Sequence, residues 1–455
     1  MTRARLDGLY FLLIASVMFV LLGAVLEHAS NLSMQDFRVI YYSAQSLVHQ
    51  SDPYNESEVL RAYQPEGVNH PQDAARERAM ASRLTYFPTS FSFTVPLAML
   101  PWNAARLLWM ALTMGGLILA SFLAWSLAAD YAPIVAGVLI GFLLANSEVL
   151  VILGNSAGIA VSLCVVAVWC FLRGRFIPAG ILCFAMSLAI KPQDGGLIWL
   201  YFLLAGGVYR KRALQTLLAL VVLTLPGVLW VWHVSPHWMQ ELHANILAFS
   251  AHGGLNDPGP ASTNGYGLSM MTNLQTVFSL FRDDPGVYNP ASYLVCAPLL
   301  LAWAFVTLRS RPSPKRAWLA LAAVTALSML PVYHRLNDAK LLLLTVPACA
   351  MLWAEGGLIG WLALLLDSAA LVLTGDIPWV ILGGFIKSLH ISTTGPSGQM
   401  TRAALGLPTP LLLLLMGVFY LWIYLFRSPG IFPNEPADGM VRGLPDATGR
   451  KRDKA

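Results

Sequence analysis

Residues 9–26 read LYFLLIASVMFVLLGAVL, eighteen positions without a charge. At 1.5 Å per helical residue the run extends about 27 Å, close to the hydrocarbon thickness of a bilayer. Arg3 and Arg5 precede it and no small-x-small cleavage site follows. It therefore reads as a retained signal anchor, with the N-terminus in the cytoplasm. Runs of the same kind recur at Phe87–Leu100, Ala104–Ala128, Ala132–Leu153, Ala157–Leu172, Ile177–Ile190, Gly195–Val208, Ala213–Trp232, Ala291–Leu308, Ala317–Tyr333, Ala339–Trp353, Gly357–Thr374 and Gly406–Phe426. Closed barrels lack such runs, so the spanning elements are helices and the fold class is all-α and polytopic.

Composition agrees. Of 455 residues, 56% are apolar and 12% charged, against about 45–50% and about 25% in soluble domains. That excludes a soluble globular enzyme, because so few charges cannot cover a water-facing surface. The net charge of +5 comes from clusters between apolar runs and in the tail, a membrane-orientation pattern rather than a nucleic-acid footprint. Cys164, Cys170, Cys183, Cys296 and Cys349 all lie in apolar stretches at no metal-ligand spacing and read as packing residues. Neither a G-x-x-x-x-G-K-[ST] loop nor a G-x-G-x-x-G turn is present, so no ATP module is expected.

Arg173/Arg175, Arg210/Lys211/Arg212, Arg309/Arg311/Lys315/Arg316 and the tail from Arg427 to Lys454 belong in the cytoplasm by the positive-inside rule. Alternation from Arg173 onward then puts Lys191, the loop from His233 to Pro290, the Tyr333–Asp338 segment and the Gly375–Leu405 loop outside. Upstream, the four runs between Tyr86 and Arg173 need an odd number of crossings. The expected half-spanning one is Phe87–Leu100, the shortest, with Pro88 and Pro96. About twelve crossings remain. The organisation is a membrane domain over 1–426, with outer loops 27–86 and 233–290, followed by a disordered basic tail over 427–455.

Four polar features stand out. Ser33 to Val48 reads as an amphipathic helix along the outer membrane surface, with Phe37, Ile40, Tyr41, Ala44, Leu47 and Val48 at helical spacing and Asp36 in its first turn. Asp36 has two readings, the acid of a Ser33-x-x-Asp36 capping box or a general base beside the lipid. In Lys191-Pro192-Gln193-Asp194 a lysine stands at the outer end of a membrane helix, either for an anionic phosphate or as a snorkelling side chain paired with Asp194. In Tyr333-His334-Arg335-Leu336-Asn337-Asp338, Arg335 is a two-pronged phosphate ligand with His334 in support, or it pairs with Asp338 across one helical turn. Gly154-Asn155-Ser156 lines a cavity or makes a turn. His233, His237, His243 and His252 of the second outer loop lack metal spacing, since Ser235-Pro236 interrupts the first pair. Asp367, alone among leucines, is either proton-coupling or structural.

Together these pieces resemble glycosyltransferase family 87 of the GT-C class, the polyprenyl-phosphate-mannose-dependent mannosyltransferases. The resemblance runs through Asp36-Phe37, Tyr41-Tyr42-Ser43-Ala44, Asp52-Pro53-Tyr54, Tyr86-Phe87-Pro88, Pro96 to Pro101, Gly154-Asn155-Ser156, Lys191-Pro192-Gln193 and Tyr333 to Asp338. It implies an inverting transfer on the non-cytoplasmic face of the cell inner membrane. The donor is a polyprenyl-phosphate sugar and the acceptor a lipid or a glycan. Asp36 matches the base; Lys191, Gln193, His334, Arg335, Asp338 and Asn155 would bind substrate. The implied enzyme is a monomer among membrane lipids, without nucleic acid, cofactor or metal. Asn155 departs from the glutamine expected after Gly154, and the 27–86 loop is long. The competing classes are a multi-pass transporter or flippase, for which Asp367 speaks, and a structural scaffold.

Overall fold

In the computed structural model, which describes residues 2–30, 33–63, 83–260, 262, 271–310, 313–390 and 395–426, the first apolar run folds into α1 (Arg3–Ala29). The faces of α1 differ. Gly8, Leu12, Ala15, Phe19 and Gly23 are buried, whereas Tyr10, Ile14, Val17, Leu21 and Val25 are at least 58% exposed. Large apolar side chains directed outward, beside a packed face rich in small residues, are the arrangement for contact with lipid.

The chain continues through α2 (Gln35–Val48), α3 (Glu56–Ala62), a 3-10 turn (Pro88–Ser90) leading into α4 (Phe91–Ala98), α5 (Trp102–Ala128), α6 (Pro133–Leu144), α7 (Glu148–Ile152), α8 (Ala157–Arg173), α9 (Ile177–Ile190) and α10 (Pro192–Leu204). Then come α11 (Gly207–Val234), α12 (Trp238–Ser250), α13 (Gln275–Ser279), α14 (Pro285–Arg309), α15 (Pro314–Ser328), a 3-10 helix (Asp338–Leu344), α16 (Val346–Glu355), α17 (Gly357–Leu373), α18 (Asp376–Ser388), α19 (Gly395–Gly406) and α20 (Pro408–Phe426). The described residues form no strand. By length and composition six stretches among the described residues can cross a membrane: α1, α5, Pro133–Ile152, α11, α14 and Ala404–Phe426. A seventh is added if α17 and α18, bent by 58°, count as one. The other apolar runs make shorter helices, among them α8 and α9.

The ends of the bundle are fixed by ion pairs. Arg5 and Arg173 both reach Asp130, at 2.6 and 3.0 Å, so two of the basic clusters share one end. At the far end of α1 the buried Glu27 takes Arg106 of α5, whose Nε lies 2.9 Å away. Helices α1 and α6 pack backbone to backbone. A Cβ on Gly137 would lie 2.4 Å from the Gly8 carbonyl oxygen. Gly137→Val is therefore expected to force the two helices apart at a cost of about 1–3 kcal/mol, read as a lower thermal unfolding temperature of the detergent-solubilised protein; an unchanged temperature would refute the close contact.

Phe87–Leu100, the run expected to span only half the membrane, forms a 3-10 turn and the eight residues of α4, about 12 Å of helix, too short to cross. Other runs fold differently from their sequence reading. Ala132–Leu153 breaks at Asn146-Ser147. Ala339–Trp353 becomes a 3-10 helix followed by α16, and its Lys340 is 2% exposed. The ammonium is satisfied by the carbonyls of Asn146 and Thr374 at 2.6 and 3.1 Å, with Asp376 at 3.5 Å. Asp367 accepts hydroxyls from Thr345 and Tyr420, so both oxygens tie α17 to its neighbours. All five cysteines are unpaired, four of them buried. The tail read as disordered, 427–455, lies outside the described residues.

Candidate active site

Asp36 is placed by backbone before it is placed by side chain. Met34 adopts a left-handed φ of 56°, and the amides of Met34 and Asp36 donate to the carbonyls of Ile152 and Leu153 at 2.7 and 2.8 Å. These bonds pin the start of α2 to the end of α7. The capping-box reading of Asp36 does not describe this helix. It begins at Gln35 without a side-chain cap, and Ser33 donates to Glu27 instead. The apolar face of α2 packs on protein rather than on lipid: Phe37 stacks on Trp109 with ring centroids 4.3 Å apart, and Arg38 lies 4.9 Å over Trp102.

Gly154-Asn155-Ser156 is the other wall. Gly154 needs its φ of +62° and its missing side chain, because a Cβ there would come 2.7 Å from the Met34 sulfur. Trp109 holds the Gly154 carbonyl at 2.9 Å. Asn155 receives the Ala157 amide on Oδ1 at 2.9 Å, which orients its amide group, and donates through Nδ2 to Asp36 at 2.6 Å. Tyr86 meets Ser156 at 2.9 Å, and burial pushes the Tyr86 hydroxyl up to about 12, so it stays neutral.

The cations arrive from the second half of the chain. Lys191, at the joint of α9 and α10, is 7% exposed, too enclosed to snorkel to headgroups. Its ammonium makes an ion pair with Asp338 and lies 3.9 Å from Asp194. Gln193 is half-buried beside it. Asp338 also accepts the backbone amide of Arg335 at 2.9 Å. The Arg335 guanidinium does not turn back to Asp338; its Nη2 donates to the Leu255 carbonyl and to Asn256 Oδ1 at 3.0 and 2.8 Å. Among the described residues Arg335 Nε is buried without a hydrogen-bond partner, as is His334 Nε2. Residues 271–275 line this segment, with the Thr272 amide donating to the His334 carbonyl at 3.0 Å.

Electrostatics tie the walls together. Burial pushes the Asp36 carboxyl above the ordinary carboxylate range, while the Asn155 hydrogen bond and the charges of Arg335 and Lys191 pull it back. The structure thus brings Asp36, Asn155, Lys191, His334, Arg335 and Asp338 to one crevice. Leu255, Asn256 and Asp194 belong to it as well. Nothing in the sequence marks the first two, whereas Asp194 has the signal of an acid in the first turn after a proline.

Away from the crevice, one ligand atom from each of His252, Asp257 and Asp283 lies within 4.8 Å of the others, the group among the described residues that offers a metal ion three ligands. His233, His237 and His243 are not part of it.

The site thus sets a half-buried carboxylate and a half-buried guanidinium within each other's field in a helical membrane protein. Residues 84–332 match Glycosyltransferase family 87, and the chain belongs to that family; it is a membrane glycosyltransferase. The match includes Tyr86, Asn155 and Lys191, begins after Asp36 and stops just short of His334. No curated protein and no solved structure matches the chain.

Proposed function

We propose that this chain is an inverting hexosyltransferase of GT-C architecture. It moves a hexosyl group, mannosyl by the family comparison, from a polyprenyl-phosphate sugar to a lipid or glycan acceptor. The observation that carries this reading is the half-buried Asp36, held by Asn155 at 2.6 Å and lying within the field of Arg335, in a family 87 chain. The acceptor hydroxyl gives its proton to Asp36 as its oxygen bonds to the anomeric carbon. The bond from that carbon to the phosphate oxygen breaks, and the lipid phosphate leaves with the electron pair. A single displacement inverts the anomeric configuration.

Negative charge grows on the departing phosphate. A guanidinium already fixed in a desolvated crevice stabilises it without reorganising. Arg335 takes that role. Lys191 meets the phosphate as an ion pair with Asp338 rather than as a bare cation, with His334 and Gln193 beside it. Because the donor carries its own leaving group, no nucleotide domain is needed.

The Arg5/Arg173 end is cytoplasmic by the positive-inside rule, which puts the crevice on the opposite, non-cytoplasmic face of the inner membrane. The short helices then complete about twelve crossings. One chain supplies every named group, so a monomer suffices. A proton-coupled carrier has less to recommend it, since Asp367 is occupied by two hydroxyls.

The test is incubation of membranes carrying the protein with labelled polyprenyl-phosphate mannose and, in parallel, with a labelled nucleotide sugar in membranes unable to make the lipid donor. Label should move to an acceptor from the first and not from the second. Transfer from the nucleotide sugar alone would overturn the donor assignment.

A further inference from the structure

Among the described residues, three buried side-chain polar atoms without a hydrogen-bond partner meet at one spot in the crevice. Both carboxylate oxygens of Asp194 and Nε2 of His334 lack hydrogen-bond partners among the described residues, and each residue is 1% exposed. They face each other at 3.6 Å. Two buried acceptors with nothing between them are unfavourable, so the protonation of this pair is constrained.

The other nitrogen of the ring helps to settle it. His334 Nδ1 lies 3.2 Å from the Val332 carbonyl, which can only accept, so Nδ1 carries a hydrogen. In a neutral imidazole Nε2 is then a lone pair, directed at a carboxyl group. One proton between Nε2 and Asp194 satisfies both. We propose that Asp194 and His334 share a single proton as a neutral buried dyad, and that Asp194 is a positioning residue that holds Lys191, Asp338 and the Arg335 segment for the donor phosphate.

The inference rests on the transferase reading and gives its charges a balance. Lys191 cancels Asp338, the dyad is neutral, and Arg335 and Asp36 remain as the working cation and anion. Without the shared proton the crevice would carry one more negative charge against an anionic donor. The groups facing the dyad are Lys191 from the α9–α10 joint, Asp338 from the 3-10 helix, the Gln193 carbonyl and the Cys164 thiol of α8. Burial pushes the His334 imidazole down, toward its neutral form.

The sign of the pH dependence follows. Above the ordinary titration of Asp and His, the folded dyad binds one proton more than the unfolded chain. Stability therefore falls as pH rises, until the dyad itself titrates. Asp194→Asn supplies an amide N–H to Nε2 and cannot titrate. Asp194→Leu supplies nothing.

The experiment is thermal unfolding against pH for the purified wild type and Asp194→Asn, alongside transfer rates of both and of Asp194→Leu. The wild type should lose stability on the alkaline side, and Asp194→Asn should flatten that slope. Its transfer should stay within about tenfold of wild type, the size of one hydrogen bond, while Asp194→Leu should lose about 10²-fold through misplacement of the cations. An Asp194→Asn slope identical to that of the wild type overturns the dyad even if the wild type is fully active. Absence of transfer by the wild type overturns the transferase reading and leaves the unfolding comparison to judge the dyad.

Discussion

Asp36→Asn is expected to slow glycosyl transfer by about 10²–10⁴-fold, the span that general bases contribute, and to leave the fold intact. The substitution is isosteric, and the new amide oxygen can take the Asn155 Nδ2 hydrogen bond that Asp36 accepts at 2.6 Å. The anchoring of α2 does not involve the carboxylate, because it runs through the Met34 and Asp36 backbone amides. What is lost is the lone pair that takes the acceptor proton. Burial pushes the Asp36 carboxyl up before Asn155, Arg335 and Lys191 pull it back. The base form is present above its folded pKa, so wild-type activity should fall as pH drops through a point above the ordinary aspartate value. The check is the transfer rate of purified wild type and variant against pH, with thermal unfolding measured on the same samples. Full activity of a properly folded Asp36→Asn protein would remove Asp36 from the mechanism.

The membrane class was legible because it depends on composition and run length, which survive any rearrangement of side chains. The segments that meet in the crevice were legible as well, since a polar hexapeptide such as Tyr333 to Asp338 between apolar runs has to sit at a helix end. The pairings were not. Helical spacing pairs Asp338 with Arg335, yet the segment leads into a 3-10 helix and Asp338 takes Lys191, 147 residues away in sequence. The Arg335 guanidinium is held by a carbonyl and an amide oxygen 80 and 79 residues distant, and no periodicity encodes such partners. Lys340 is the plainest miss. Hydropathy smoothed it into an apolar span, whereas main-chain carbonyls freed at the Asn146 and Thr374 breaks accept its ammonium. The reading of α2 erred for a similar reason: an apolar stripe reports that a face is covered, and the aromatic rings of α5 cover it here, not lipid.

Arg335→Lys is expected to cost about 10²–10³-fold in transfer, the range seen when one preorganised donor to a developing oxyanion is removed. The charge is conserved, so the loss must come from shape. The guanidinium has several donors fixed in a plane: Nη2 is spent on Leu255 and Asn256, and the buried Nε has no partner among the described residues. One group can therefore be anchored to the protein and still present N–H to a phosphate. A lysine offers a single ammonium on a flexible stem, which either keeps the anchor or reaches the phosphate. Because the negative charge peaks as the bond to the lipid phosphate breaks, kcat should fall more than the donor KM rises, and inhibition by free polyprenyl phosphate should weaken in parallel. Steady-state kinetics over a range of donor concentrations, with polyprenyl phosphate as product inhibitor, separates these effects. A variant with wild-type kcat and unaltered product inhibition would show that the phosphate is held elsewhere, and the crevice would have to be reassigned around the Lys191–Asp338 pair.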